Sequence, residues 1–189
     1  MKIDSNTVVL ITGGAQGLGL ATAKYLASKE AKICIIDLDE ELLKSAKNFI
    51  ITAAECAADV RYPHAATSEG WFNDDVEYMV CDVSIPEQVE VAINKCVTKF
   101  GKIDVLINNA GIVKSSKIAN IKSKDLRKTF DINLFAPIIF LKETLKIMKK
   151  NNYGRIINIS SGGSVNCAES FFSYSASKAA LNTSAKTLA

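Results

Sequence analysis

A glycine-rich turn set between an apolar run and a helix-forming segment constrains this fold more than any other feature. Val8 to Ile11 lead into Thr12-Gly13-Gly14-Ala15-Gln16-Gly17-Leu18-Gly19, and Ala21 to Leu26 then carry an amphipathic pattern. A buried strand that runs through glycines into a helix is the opening of a βαβ unit. Backbone N–H groups at such a turn converge with the helix N-terminus on a position suited to a phosphate or pyrophosphate. The spacing here is G-x-x-x-G-x-G, which differs from the commoner G-x-G-x-x-G. The flanking strand and helix therefore carry the reading more than the glycines alone do.

The remaining chain repeats this alternation of short β-branched runs with segments of helical period, which predicts a parallel sheet covered by helices. Strands are expected at Val8–Thr12, Lys32–Asp37, Glu77–Cys81, Ile103–Asn108 and Gly154–Ser160. Helices are expected at Leu18–Ser28, Glu40–Ile50, Pro86–Phe100, Lys124–Lys150 (broken near Asp131–Pro137) and Tyr174–Leu188. Ser84 with Glu87 has the form of a capping box, with Pro86 in the first helical turn. Gly101 stands where a helix C-cap belongs, and Ser123 is placed to cap the following helix.

Two places break the pattern. The stretch from Ile51 to Asp75 is far longer than the few residues usual between a helix and the next strand. It holds the only Trp (Trp71) and the only His (His64), and is read as a surface excursion beside the adenosine half of a nucleotide site, away from reacting groups. The second break is the end: the chain stops at Ala189 without a C-cap signal or a closing strand. The expectation is a single domain over 1–189 whose sheet lacks its last strands and leaves the fifth strand with an open edge.

Composition narrows the chemistry. A chain of 189 residues fits one domain with a substantial core. Its net charge of +3 comes from 23 basic and 20 acidic residues, without a basic cluster that would suit nucleic acid. No apolar run is long enough to span a bilayer, and the first residues lack the pattern of a signal peptide. The five cysteines show no C-x-x-C spacing, so buried free thiols in the cytoplasm are expected rather than disulfides or a metal site. With His64 alone in a polar, Pro-flanked segment, a Ser-His-Asp hydrolase has no support.

At the end of the second strand stands Asp37. A carboxylate there accepts both ribose hydroxyls of NAD and repels the 2′-phosphate of NADP. Neither Gln16 nor Leu38 brings a positive charge that would favour that phosphate. The nucleotide candidates at this end are thus Gly13, Gln16, Gly17, Leu18, Gly19, Asp37 and Leu38.

At the other end, Tyr174 and Lys178 lie four residues apart, one helical turn, and so share a face. Hydride transfer at an alcohol or ketone needs a group that moves a proton on and off oxygen. A free tyrosine, pKa about 10, is a poor base at neutral pH. An ammonium about 4 Å away favours the phenolate by on the order of 4 kcal/mol at an effective dielectric near 20. Lys178 can supply that charge. The run Ile157-Asn158-Ile159 ends at Ser160-Ser161, where either hydroxyl could reach a substrate oxygen at the mouth of the crevice.

In this order the chain resembles the short-chain dehydrogenase/reductase family from Val8 onward, the Ile51–Asp75 stretch excepted. The motifs are TGGAQGLG (Thr12–Gly19), Asp37, CDV (Cys81–Val83), NNAG (Asn108–Gly111), Asn133, ISS (Ile159–Ser161) and YSASK (Tyr174–Lys178). The resemblance implies a doubly wound parallel sheet of Rossmann type in three α/β/α layers, and a homodimer or homotetramer when full length. It implies that Asp82 and Val83 border the adenine and that Asn109, Ala110 and Gly111 line the cofactor channel. It selects Ser161, thirteen residues before the tyrosine, and gives Asn133 a water-linked proton path to Lys178, with Tyr174 and Lys178 also touching the cofactor. The expected activity is NAD-dependent oxidation of a secondary alcohol or reduction of a ketone. The alternatives are an NADPH-dependent 3-oxoacyl thioester reductase, which Asp37 disfavours, and an inactive nucleotide-binding fragment. One departure is Ser164, where many relatives carry glycine three residues after the serine.

Overall fold

A computed structural model describes residues 2–61 and 73–187 of the chain. Five strands form one parallel sheet: β1 (Val8–Thr12), β2 (Lys32–Asp37), β3 (Val76–Val80), β4 (Val105–Asn108) and β5 (Arg155–Asn158). Their order is β3-β2-β1-β4-β5. The chain winds outward from β1 through β2 to β3, then crosses back to β4 on the other side. The reversal point between β1 and β4 is where open α/β sheets form their crevice.

All five residues of β1 are buried, as befits a central strand covered on both faces. Alternate residues feed two cores. Val9, Ile11, Ile33 and Ile35 pack with Ala23, Ala27, Leu43, Ala46 and Ile50 from α1 (Gly17–Ala27) and α2 (Glu40–Arg61). Val8, Leu10, Cys34 and Ile36 pack on the other face with Val89, Ile93 and Phe140, from α3 (Pro86–Phe100) and the long helix that precedes β5. Burying each such aliphatic side chain stabilises the fold by roughly 1.5–3 kcal/mol.

That long helical segment is interrupted as the sequence suggests. α4 (Ser123–Phe130) passes through a π-turn at Asp131–Phe135 into α5 (Ala136–Lys150), with Pro137 in the first turn of α5. α6 (Phe172–Lys186) packs against α4 and the π-turn. Gly101 ends α3 in the left-handed conformation, φ 81°, donating its N–H to Val97 O at 2.7 Å.

The largest departure from expectation is α2. It continues past Ile50 to Arg61, so the first half of the supposed excursion is helix. Ala54 and Ala58 are buried, extending the stripe of Leu43, Ala46 and Ile50 at helical spacing. A short 3₁₀ turn at Asn73–Asp75 then leads into β3. His64 and Trp71 fall outside the described residues. Both expected side-chain caps are absent: α3 starts after Ile85 and α4 after Lys122, neither capping through a side chain. Ser84 instead turns back to Asp82, donating its hydroxyl to Oδ1 at 2.6 Å. β4 and β5 are shorter than expected, and α6 begins at Phe172 with Tyr174 already inside it. Cys34, Cys81 and Cys96 are buried, but Cys56 and Cys167 are exposed, against the expectation of buried thiols.

Among the described residues, no helix is long and apolar enough to cross a membrane.

Candidate active site

Thr12 pairs with Asn108, and Asn108 with Asn158, so the C-terminal ends of β1, β4 and β5 stand level. Three connecting segments therefore open side by side at one rim: Gly13–Gln16, Asn109–Gly111 and Ile159–Ser161.

The glycine turn is held from the neighbouring strand. Thr12 Oγ1 accepts the backbone N–H groups of Asn109 and Ala110, both at 3.1 Å. Asn109 in return donates its side-chain amide to Thr12 O at 3.1 Å and Gly13 O at 2.8 Å. Gly13 sits at φ 64°, and a Cβ there would lie 2.9 Å from Ala110 Cα. At Gly19 a Cβ would collide with the Gly13 carbonyl and crowd Asn109 Nδ2, so the first turn of α1 lies directly on the glycine turn. The space off Gly17 is open, with nothing within 4 Å of where a Cβ would sit. Backbone amides near a helix N-terminus that face open space fit a pyrophosphate.

A cleft of about 330 Å³ extends from this turn, lined by Gly13, Gln16, Asp37, Leu38, Asp82, Val83, Asn109, Ala110 and Gly111, together with Cys81, Ile112 and Ile132. Asp37 reaches into the turn, accepting the Ala15 N–H through Oδ2 at 3.2 Å and the Leu38 N–H through Oδ1 at 2.8 Å. Gln16 and Leu18 are exposed beside it. Asp82 is engaged by Ser84 N as well as the Ser84 hydroxyl. The thiol of Cys81 is pushed up to about 11, by burial first and by the Asp82 charge second.

Behind Gly111 lie two polar residues that the sequence expectation placed together. Asn133, fully buried in the π-turn, accepts Ile112 N–H through Oδ1 at 2.8 Å and donates Nδ2 to Ile112 O at 2.9 Å. The same Nδ2 also donates to Ser177 Oγ at 3.1 Å, whose hydroxyl donates to Tyr174 O at 2.7 Å. The Asn133 side chain thus joins the loop after β4 to the first turn of α6. Lys178 is 4% exposed and donates from Nζ to Ile159 O at 2.7 Å. Burial holds its pKa below the ordinary lysine value. A Cβ on Gly111 would lie 3.3 Å from Asn133 Oδ1 and 3.5 Å from Lys178 Nζ, so both groups border the end of the cleft.

A second cavity, about 260 Å³, is lined by Ser161, Gly163, Tyr174 and Ser175 with Val113, Asn166, Ala168 and Phe171. Ser161 begins the 3₁₀ turn Gly162–Ser164, and its Oγ accepts the Gly163 N–H at 3.1 Å. With one lone pair so engaged, its own proton remains to donate toward the cavity. Ser160, the other sequence candidate, has a buried hydroxyl without a partner among the described residues and does not line this cavity. A roomier groove, about 950 Å³, lies elsewhere, between α5, β5 and the end of α6, and carries none of these groups.

Thr12, Asn108 and Ser177 are structural members of the site that sequence reasoning quoted in motifs but gave no role. Their partners are far along the chain: 97 residues for Thr12–Asn109, 50 for Asn108–Asn158 and 44 for Ser177–Asn133. No local signal marks such pairs.

The sequence profile described as short chain dehydrogenase matches residues 7–189. A levodione reductase of Leifsonia aquatica is 33% identical over 175 residues, which is 92% of this chain and 59% of the relative. The fold superposes on NAD⁺-bound xylitol dehydrogenase with a TM-score of 0.85 at 29% identity, covering 100% of this chain and 65% of that one. It superposes on a metagenomic short-chain oxidoreductase in complex with NADP with a TM-score of 0.83 at 27% identity, covering 100% and 77%. The chain spans about three fifths of the length of the levodione reductase. With the profile running from the first strand through α6, the chain belongs to the short-chain dehydrogenase family.

Proposed function

We propose that the protein transfers a hydride between NAD(H) and a secondary alcohol or ketone, with Tyr174 moving the proton. The observation that carries this reading is the buried Lys178 ammonium, fixed on Ile159 O one helical turn from a tyrosine that shares a cavity with Ser161. When bound, the nicotinamide ring supplies or accepts the hydride. In the reducing direction the carbonyl carbon gains the hydride and its oxygen becomes an alkoxide. Ser161 donates a hydrogen bond to that oxygen, and the Tyr174 hydroxyl gives it a proton. The Lys178 charge favours the phenolate left behind, and oxidation runs the same steps backward.

Asp37 at the cleft, with no lysine or arginine at Gln16 or Leu38, supports NAD over NADP. Val113, Ala168 and Phe171 in the second cavity support a compact, largely apolar substrate. Exposed Phe135 and Ile138 at the start of α5 support a homodimer or homotetramer as the working form. The cysteines, free in the described structure, suit the cytoplasm.

The test is Tyr174→Phe with NADH and a panel of compact ketones. Turnover falls by roughly a hundred- to ten-thousandfold, the contribution of one positioned proton donor, while NADH affinity stays near the parent value. Retained turnover would remove Tyr174 from the proton path.

A further inference from the structure

Ser164 stands three residues after Ser161, and the structure gives its hydroxyl two partners. Its hydroxyl donates to Ser161 O at 2.6 Å and accepts from Asn182 Nδ2 at 2.8 Å. Its backbone N–H also bonds Ser161 O, at 3.0 Å. A hydrogen-bond chain thus runs from Asn182, one turn beyond Lys178 on α6, through the Ser164 hydroxyl, to the carbonyl of Ser161. Both Ser164 and Asn182 are half-buried, and the relay lies between the serine turn and the helix.

The same turn lies beside α6 at its other end. A Cβ on Gly163 would lie 3.4 Å from Ser161 Oγ, 3.5 Å from Ser175 Oγ and 3.6 Å from the Tyr174 ring. The turn therefore lies beside α6 and the tyrosine, at distances where an added methyl group would make ordinary van der Waals contact. The Ser161 hydroxyl is itself tied to Gly163 N, so its direction is set by the conformation of this turn. Two residues before Ser161, Lys178 Nζ already ties Ile159 O to α6 at 2.7 Å. The Ser164–Asn182 chain is thus a second tether between this segment and the helix, on the far side of the serine. A chain of hydrogen bonds polarises along its length, so loss of either outer member weakens the other bond.

We infer that Ser164 and Asn182 form a positioning clasp that fixes the Ser161 hydroxyl relative to Tyr174. Neither touches the reacting atoms; they act through the carbonyl of Ser161. A serine turn pinned to α6 keeps the hydrogen-bond donor and the proton donor on one rigid body, whereas a free turn would let the donor drift from the substrate oxygen. The inference rests on the reading of Ser161 and Tyr174 above.

The experiment is a double-mutant cycle on Ser164→Ala and Asn182→Ala, with Ser164→Thr as the rescue, read by steady-state kinetics and by hydrogen exchange of the Gly163 and Ser164 amides. Each single variant lowers kcat by roughly three- to tenfold, the rate equivalent of one net hydrogen bond. NADH affinity is unchanged, and the double variant is no worse than the poorer single one. Ser164→Thr restores kcat, which a general loss of packing would not allow. In both alanine variants the Gly163 and Ser164 amides exchange faster, while those of β1 and β4 do not. Additive losses in kcat, or a fall in NADH affinity to match, overturn the clasp. If the parent protein reduces no ketone, the proposed reaction fails, and exchange alone decides: unchanged Gly163 and Ser164 rates overturn the clasp whatever the substrate.

Discussion

Asn109 reaches across from β4 and donates its side-chain amide to Gly13 O at 2.8 Å, bracing the glycine turn from outside its own segment. The same amide bonds Thr12 O, while Thr12 Oγ1 takes the Asn109 N–H. The glycine turn, proposed to hold a pyrophosphate, is thus shaped by a residue nearly a hundred positions away.

Replacing Asn109 by alanine removes two bonds to buried or half-buried carbonyls. The folded state loses about 1–3 kcal/mol, from two net hydrogen bonds. NADH affinity weakens too, because the turn is no longer held open. Thermal melts with and without NADH check this; an unchanged NADH-induced shift would mean that the turn keeps its shape unaided.

Asp37→Ala has two effects, since Asp37 both lines the cleft and accepts the Ala15 N–H. The preference for NADH over NADPH falls, as the 2′-phosphate is no longer repelled. Stability also drops by about 1–2 kcal/mol, because the Ala15 and Leu38 N–H groups both lose their acceptor at a half-exposed site. Comparing kcat/KM for the two cofactors reads the first effect. A ratio that does not move would remove Asp37 from the ribose.

Lys178→Met separates stability from chemistry. In the folded protein burial lowers the pKa of Lys178 from its ordinary 10.5, whereas the unfolded chain keeps the ordinary value. Below the lowered value, the folded state carries the full cost of a buried ammonium. That cost fades as pH climbs toward 10.5 and the proton leaves both states equally. Methionine escapes the cost, so the variant melts higher at pH 7, and its advantage shrinks through the alkaline range. Turnover is lost at every pH. A melting difference that stays constant up to pH 10.5 would show that the charge is not what burial penalises.

Asn133→Ala leaves the Ile112 N–H and C=O and the Ser177 hydroxyl without their partner. Three bonds and the packing of a fully buried side chain are worth roughly 2–4 kcal/mol. Chemical denaturation measures it. A loss below 1 kcal/mol would mean that water replaces the amide at little cost, since a single net bond is worth about that much.

The sheet was legible in the sequence because β1, β2, β4 and β5 are built on compact apolar runs rich in β-branched residues, and β1 and β2 begin and end where that pattern does. The interruption before Pro137 was legible too, although its form as a π-turn was not. The length of α2 was missed for a physical reason. Ile50-Ile51-Thr52 lower helix propensity locally, while the signal that continues the helix is the small pair Ala54 and Ala58, buried yet barely hydrophobic. The caps were misread because Ser84 found a nearer acceptor in Asp82, a competition that spacing alone does not reveal. For the candidate site, residue types and spacing gave the groups at each strand end. The ties among them, Asn109 to Gly13 or Asn133 to Ser177, join residues brought together only by the closed sheet.

The level alignment of Thr12, Asn108 and Asn158 has a consequence for how this site can fail. Strands pair in whole residues, and a slip by one position turns every side chain to the opposite face. The placement of Ile159 O under Lys178, and of the serine turn against α6, therefore cannot drift by degrees with β5. The arrangement is digital: β5 either sits in register and assembles every contact at once, or it misses by a full notch and assembles none. Damage to this strand would appear as a mixture of working and silent molecules, not as a uniformly weakened population.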